Sequence, residues 1–303
     1  MTLRRSLMLT FIAVLLAGIS WMRPALGDDP MSFARANALI EQARALVDEA
    51  AAAKEAEAAQ AKREQARKKY EEARRLMSDY QAGIKEKLEV FPPVVPPGDP
   101  RIAKRARLRA DYLQTRLLGA AIVEESAELY DGEEGTNRLQ QAERLYREIY
   151  ETYRTRLAGL YARMYQGRCL AKLHQPQSAA EVLSDLLNLP NEPQEFRGLR
   201  VRVYVLAAKA WCDDSLKRYA QAINYGESLL EAAAAEELAS ALYLEARLNL
   251  ARAYKLQGDA FQPAAEAALS YDKAKQHAEF VAKHESKHQT QAKQLLSELA
   301  KRR

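Results

Sequence analysis

Residues 32–89 contain one glycine, no proline and very few side chains that resist a helix. The stretch DEAAAAKEAEAAQAKREQARKKYEEARRLM is representative, because Ala, Glu, Lys, Arg and Gln lose little side-chain freedom on entering a helix. The whole chain of 303 residues has only 12 Gly and 11 Pro, and no window alternates Val, Ile and Thr as strands do. The sequence therefore predicts an all-α protein.

Apolar residues recur at helical spacing along residues 28–90, which we call the arm. One series is Phe33, Ala36, Ile40, Ala43, Val47 and Ala50, and the other is Ala66, Tyr70, Ala73, Met77, Tyr80 and Ile84. Between them the apolar face is almost all alanine, which suits close helix–helix contact or a solvated helix. The pattern fits one helix of about 87 Å, an α-hairpin, or a coiled coil that could form a homodimer.

The arm ends at FPPVVPPGDP, residues 91–100, where five prolines in ten residues exclude a helix. Such a segment favours extended polyproline II backbone and is typical of a semi-rigid linker. We therefore expect a domain boundary here, followed by helices over residues 101–303.

The first 27 residues have the layout of a secretory signal peptide. Arg4 and Arg5 precede an apolar run from Leu7 to about Trp21, and a cut after Gly27 would leave Asp28 first. An uncleaved membrane anchor is the alternative. The layout predicts export to the periplasm or cell envelope. Without residues 1–27 the chain has 43 basic and 41 acidic residues, a balance that gives no support to nucleic-acid binding.

A helix-pair pattern recurs after residue 137. Its clearest segments are LYARMYQGRCLAKLHQPQSAAEVLSDLLNLP, YVLAAKAWCDDSLKRYAQAINYGESLL and LNLARAYKLQGDAFQPAAEAALSYDKA. In each, a small residue (Gly167, Ala208 or Ala251) is followed three positions later by a large apolar one. Turns are expected at His174–Gln177 and Gln257–Asp259.

The pattern resembles the tetratricopeptide repeat over roughly residues 105–285, although the spacings of 41 and 43 residues exceed the 34 of that repeat. The resemblance implies a right-handed α–α superhelix of helical hairpins, whose first helices line a concave, partner-binding face. A polar helix from about Ala264 to Leu299 is expected to cap its C-terminal end.

Placed on that face by the resemblance, five cations form a basic series: Arg168, Lys172, Lys209, Arg252 and Lys255. A basic groove favours carboxylates, so acidic segments of other proteins are the expected ligands. Ordinary solvated helix charges are the alternative explanation. The basic stretch RIAKRARLRA, residues 101–110, adds a candidate contact with an anionic envelope surface.

The segment HESKH, residues 284–288, fits the H-E-x-x-H pattern of zinc hydrolases. On a helix His284 and His288 would share a face, with His277 nearby and Glu285 as the base, so these imidazoles are the candidate metal ligands. Only fifteen residues follow, without another His, and the flanks are polar. The expectation is therefore no cofactor and no catalysis, with a zinc-dependent hydrolase as the distant alternative.

Cys169 and Cys212 lie in helical patterns, where two buried apolar residues or a disulfide both fit. P-loop, dinucleotide-binding and nucleophile-elbow motifs are absent from the sequence. The sequence thus favours a non-enzymatic scaffold or adaptor of the bacterial cell envelope, with a coiled-coil-like spacer as the alternative.

Overall fold

The prediction of an all-α fold is confirmed. The structure, a computed structural model, describes residues 30–301 apart from 93, 189–193 and 262–263, and these residues form eleven helices and no strand. The predicted signal peptide, residues 1–27, and its cleavage site lie outside the described residues. None of the described helices is long and apolar enough to cross a membrane.

The described residues divide into two compact units, one ending at Ala162 and the other beginning at Arg163. The helices up to this division are α1 Pro30–Ala52, α2 Ala56–Glu89, α3 Arg101–Ala127 and α4 Gly132–Thr152. The division falls within α5 Leu157–Lys172. The remaining helices are α6 Pro176–Leu187, α7 Gln194–Trp211, α8 Tyr219–Glu231, α9 Ala241–Ala260, α10 Ala264–Lys283 and α11 Gln289–Ala300.

The arm is an α-hairpin rather than one long helix, since residues 53–55 separate α1 from α2 and the two helices pack together. The hairpin is antiparallel, with Arg35 paired to Glu72 and Glu49 to Lys62. The two predicted apolar series meet in one core, which contains Phe33, Ala36, Ile40, Ala43, Ala66, Tyr70, Ala73 and Met77. Folding back lets each thin alanine-rich stripe bury against the other, which a single straight helix cannot achieve.

Helix α3 completes this core, because its residues Leu118 and Ile122, and Leu129 in the turn that follows it, belong to the same cluster as the arm. A buried polar contact ties the three helices together. Arg44 of α1 donates two hydrogen bonds to the Glu125 carboxylate of α3, at 2.9 and 2.6 Å, and the Tyr70 hydroxyl of α2 donates a third at 3.0 Å. The Pro-rich segment therefore connects two packed helices within one unit, whereas the sequence placed a domain boundary there.

The Pro-rich segment is non-helical, as its composition requires, and it contains a tight turn. The Asp99 N–H donates to the Pro96 carbonyl at 3.2 Å, with Gly98 at a φ of +86°. Proline at the second and glycine at the third position are what a type II turn needs. Asp99 then accepts a hydrogen bond from the Arg101 N–H at 2.8 Å, which satisfies a free donor at the start of α3.

In the second unit, neighbouring helices pack in succession and alternate helices also touch, as α7 does with α9 and α9 with α11. Helices α7 and α9 run in the same direction, because Arg197 near the start of α7 pairs with Glu237 in the turn just before α9, and Lys209 near the end of α7 pairs with Glu245 on α9. Within a pair the helices cross closely. A Cβ on Gly167 of α5 would lie 2.6 Å from the Leu183 Cγ of α6.

Two predicted features of the C-terminal region are wrong. The expected turn at Gln257–Asp259 is helical, since α9 continues to Ala260 and Gly258 provides room for the Tyr271 ring of α10. The expected single capping helix is two helices, because α10 ends at Lys283 and α11 begins at Gln289. The break lets Leu295 and Leu299 of α11 return to the core formed with α9 and α10.

Candidate functional site

Three basic side chains of the second unit, Lys209, Arg252 and His288, lie near the carboxylate of Glu245, and a fourth, Lys287, lies near Lys209 and His288. We call these four residues the basic cluster. Lys209 lies in the last turn of α7 and Arg252 on α9, while Lys287 and His288 end the turn that leads into α11. Glu245 and Arg252 are seven residues apart on one helix and therefore share a face. The packing of α9 against both α7 and α11 brings the other members to that face.

The carboxylate of Glu245 lies between two basic groups without a hydrogen bond to either. The Lys209 Nζ is 3.9 Å from its Oε1 and the His288 Nε2 is 3.8 Å from its Oε2, both beyond hydrogen-bond length. Two turns further along α9, Arg252 donates to the Gln291 side-chain oxygen at 3.2 Å. The Lys209 side chain keeps 32% of its surface exposed and Glu245 keeps 16%, so solvent reaches the cluster.

Burial lowers the pKa values of two cations of the basic cluster, Lys209 and Arg252. Burial lowers the pKa of Lys209, Glu245 opposes this change, and the nearby charges of Arg252 and Lys287 add to the lowering. The pKa of Arg252 is lowered mainly by burial, against the attraction of Glu245 and Glu298. Lys209 and Arg252 thus face the Glu245 carboxylate in a partly desolvated place, with Lys287 nearby, where an added carboxylate would find favourable electrostatics.

His288 is the most buried member of the basic cluster, with 2% of its surface exposed. Its Nε2 has no hydrogen-bond partner among the described residues, although it is directed toward Glu245. Burial lowers the pKa of His288, Glu245 raises it, and Lys287, Arg252 and Lys209 lower it further. The imidazole therefore favours its neutral form, with one ring nitrogen able to accept or donate a hydrogen bond.

The other residues of the predicted basic series have different surroundings. Arg168 is buried, and its guanidinium lies 4.5 Å from the centre of the Tyr165 ring on the same helix. Lys172 is half-buried in the last turn of α5. Lys255 pairs with Asp259 one turn along α9, at 2.8 Å. Of the predicted series, the structure brings Lys209 and Arg252 together near one carboxylate.

A second polar group lies between α8, α9 and α10. The Glu227 carboxylate accepts hydrogen bonds from the Tyr254 hydroxyl at 2.7 Å and from the His277 Nε2 at 3.1 Å. The His277 and Tyr254 rings stack, with their centres 5.7 Å apart. Burial opposes ionisation of Glu227, but these hydrogen bonds hold its pKa below the ordinary value. Burial lowers the pKa of His277 more than Glu227 raises it. The buried packing of this group suits a structural role.

The HESKH segment does not have the geometry expected from the sequence. It forms the turn between α10 and α11, so His284 and His288 do not share a helix face. The His284 Nδ1 donates to the Phe280 carbonyl at 2.8 Å, and His288 and His277 face Glu245 and Glu227 respectively. Among the described residues, no three or more His, Cys, Asp or Glu side chains are grouped so that they could hold a metal ion.

Cys169 and Cys212 are free thiols, so the disulfide alternative is not realised in this structure. Cys169 is fully buried and Cys212 is half-buried, where burial raises the pKa of the Cys212 thiol to about 12. A thiol with this pKa is almost entirely protonated at neutral pH and is a poor nucleophile. Both residues serve as small apolar side chains in the helix packing.

Sequence reasoning missed Glu245, Lys287 and Gln291. The position of Glu245, two turns before Arg252, could have indicated that it shares the predicted binding face. Lys287 and Gln291 gave no comparable signal, because their approach to α9 depends on the break between α10 and α11. A scan against protein-family models and a search of curated proteins found no match to this chain.

Proposed function

We propose that this chain is a non-enzymatic adaptor of the bacterial cell envelope, which binds an acidic segment of a partner protein at the basic cluster. The observation that carries the proposal is the meeting of α7, α9 and the turn before α11 around Glu245. Basic side chains from all three elements converge there and remain partly open to solvent.

The chemistry of the basic cluster suits carboxylates. Arg252 offers a planar guanidinium that can hold a carboxylate by two hydrogen bonds, and Lys209 offers a compact ammonium group. Glu245 lies 3.9 Å from the Lys209 Nζ and 3.8 Å from the His288 Nε2, so its carboxylate does not form a hydrogen bond with either group. Partial burial strengthens each such contact relative to one in open water.

The tetratricopeptide-like character of the second unit supports this location. By the resemblance to the tetratricopeptide repeat, helices α7 and α9 correspond to the first helices of two successive pairs, and in that family the first helices line the peptide-binding face. Two helix-pair turns share an uncommon backbone, with φ of +57° at His174 and +50° at Lys217. Each of these residues is followed directly by the N-cap of a second helix, Gln175 of α6 or Arg218 of α8. This recurrence supports a repeated unit.

Export is part of the proposal and is supported by the layout of residues 1–27. The chain without residues 1–27 has nearly balanced charge, so its net charge does not attract it strongly to anionic surfaces in general. A local basic face can therefore select an acidic ligand outside the cytoplasm.

Peptide binding tests the proposal. We expect the chain from Asp28 on to bind a fluorescent peptide rich in Glu and Asp, and to bind its Gln and Asn counterpart at least about ten-fold more weakly. A Lys209→Gln/Arg252→Gln variant should lose about ten-fold in affinity, or about 1.4 kcal/mol. Fluorescence anisotropy at low and high salt measures both differences.

The matched control is Lys275→Gln. This cation is on α10, outside the basic cluster, and forms an exposed pair with Glu279. It should leave the affinity within about two-fold, since an exposed ion pair contributes little. Equal losses of affinity in both variants would show that peptide binding depends on the overall charge of the protein. Absence of binding by a folded wild-type chain would overturn the proposal.

A further inference from the structure

The end of the α2–α3 pair projects beyond the last buried layer of its unit. Ile84 and Leu108 close that layer, each with 5% or less of its surface exposed. None of the described residues from 85 to 107 is buried. The antiparallel register of the two helices, with Tyr70 beside Glu125 and Arg63 beside Asp131, carries the end of α2 and the start of α3 to the same place. We call residues 85–109, apart from 93, the α2–α3 tip.

Apolar side chains are exposed on this tip. Among the described residues, five large apolar side chains are exposed, and three of them lie here: Val90 at 83%, Val94 at 78% and Ile102 at 42%. Single exposed apolar residues are common on protein surfaces. Three of the five lie within thirteen positions at a projecting end, and no element that the structure describes covers them, so they form a concentrated apolar feature.

The same tip is strongly basic. Residues 85–109 contain seven Lys or Arg and three acidic residues, and the α3 portion from Arg101 to Arg109 contains five cations and no acid. Two of the three acids are already engaged, because Asp99 pairs with Arg101 at 2.6 Å and Glu89 lies 3.9 Å from Lys85. The tip therefore presents a surplus of positive charge beside its exposed valines and isoleucine.

We propose that the α2–α3 tip binds the surface of a membrane that contains anionic phospholipids. Its apolar side chains enter the boundary between headgroups and acyl chains, and its cations lie among the phosphates. This combination of apolar and basic groups is the one that holds peripheral segments at an anionic bilayer. A second copy is disfavoured as the occupant, because two tips of the same positive charge repel each other. The apolar groups also stand on a projecting end rather than in a groove, which suits a deformable surface.

Vesicle binding tests this inference with the chain from Asp28 on, which retains every described residue and removes the apolar run of residues 7–21. In co-sedimentation we expect binding to vesicles of phosphatidylcholine with about one third phosphatidylglycerol, at least ten-fold above binding to phosphatidylcholine alone. A Val90→Ser/Val94→Ser/Ile102→Ser variant should bind these anionic vesicles about ten-fold more weakly. These side chains are exposed, so circular dichroism should show an unchanged helix content.

Charge reversal tests the contribution of the cations of the α2–α3 tip to membrane binding. Lys104→Glu/Arg107→Glu should reduce binding about twenty-fold or more, since each cation near an anionic surface contributes about 1 kcal/mol. The Lys209→Gln/Arg252→Gln variant of the basic cluster should bind vesicles as the wild type does, which separates this proposal from the proposed adaptor function.

Three outcomes would overturn the inference. The first is equal binding to neutral and anionic vesicles. The second is full binding by the triple serine variant, which would show that charge alone accounts for the binding. The third is no vesicle binding by the folded wild type, and crosslinking of residue 94 to an envelope protein would then identify the tip as a protein contact.

Discussion

Buried histidines carry the pH sensitivity of this protein at the scale of single residues. His277 has 8% and His288 has 2% of its surface exposed, and burial is the main reason that both have lowered pKa values. Each faces one carboxylate, Glu227 or Glu245, and several cations. The cations that face His277 are Arg247 and Lys273, and those that face His288 are Lys287, Arg252 and Lys209. Neither imidazole can gain a proton in the folded state as easily as in the unfolded chain.

We expect the free energy of unfolding to fall as the pH drops below about 6.5, the pKa of an unperturbed histidine. Below that value the unfolded chain binds protons at positions 277 and 288 that the folded chain does not yet bind. The loss should continue until the pH passes the lowered folded pKa values. Urea unfolding measured between pH 8 and pH 5 provides the curve.

His277→Gln and His288→Gln should each flatten that curve, while His174→Gln, at an exposed turn, should leave it unchanged. An identical slope in the wild type and in both buried-site variants would contradict this explanation. The separate effect of Glu227, whose pKa is lowered, belongs to more acidic solutions, below about 4.5.

Small residues decide how closely the elements approach. A Cβ on Gly226 of α8 would lie 2.3 Å from the Tyr204 hydroxyl of α7 and 2.9 Å from the Leu250 Cδ1 of α9, so one missing side chain serves two helix contacts. Gly258 of α9 leaves space for the Tyr271 ring of α10 in the same way. These glycines are inside helices, where each lowers the stability of the helix by about 1 kcal/mol relative to alanine. Close helix packing offsets that cost.

Gly167→Ala is expected to lower the free energy of unfolding by about 1–3 kcal/mol, because its new methyl group would collide with the buried Leu183 side chain. Gly119→Ala is the matched control. Gly119 is also inside a helix, α3, but has no neighbouring atom within 4 Å of the added Cβ. It should raise the free energy of unfolding by up to about 1 kcal/mol. Urea unfolding of both variants measures the difference, and equal effects would contradict the packing role of Gly167.

At the scale of the whole molecule, two hydrophobic cores formed by described residues differ in composition. The core of α1, α2 and α3 combines alanines with Phe33, Tyr70 and Met77. The core of α9, α10 and α11 is built on aliphatic residues, among them Leu248, Val281 and Leu295. Each cluster lies within one of the two compact units, so a cavity in one should first weaken the helices around it.

Hydrogen exchange can test this organisation with two comparable deletions. Met77→Ala and Leu295→Ala each remove a large buried side chain, at an expected cost of about 2–5 kcal/mol. We expect Met77→Ala to raise amide exchange mainly in α1–α3, and Leu295→Ala mainly in α9–α11. A uniform rise over all helices in both variants would show that the two cores unfold as one cooperative unit.

The sequence by itself determined the helical class and most of the faces that become buried. Helix propensity and the scarcity of breakers act over a few residues, and the spacing of Phe33, Ala36 and Ile40 is a local property. The structure confirms that these residues are buried. Lys209 and Arg252 could likewise be placed on helix faces from their spacing.

Only the tertiary structure decided that the arm folds back at residues 53–55 and packs on α3, that Gly258 lies within a helix, and that HESKH is a turn. The same is true of the approach of Glu245 to Lys209 and to His288. Each of these depends on contacts between residues far apart in the chain, whose favourable burial outweighs the local preference to continue or end a helix. Local patterns therefore settle what each segment can become, and the burial of one helix against another settles where it ends and which side chains meet.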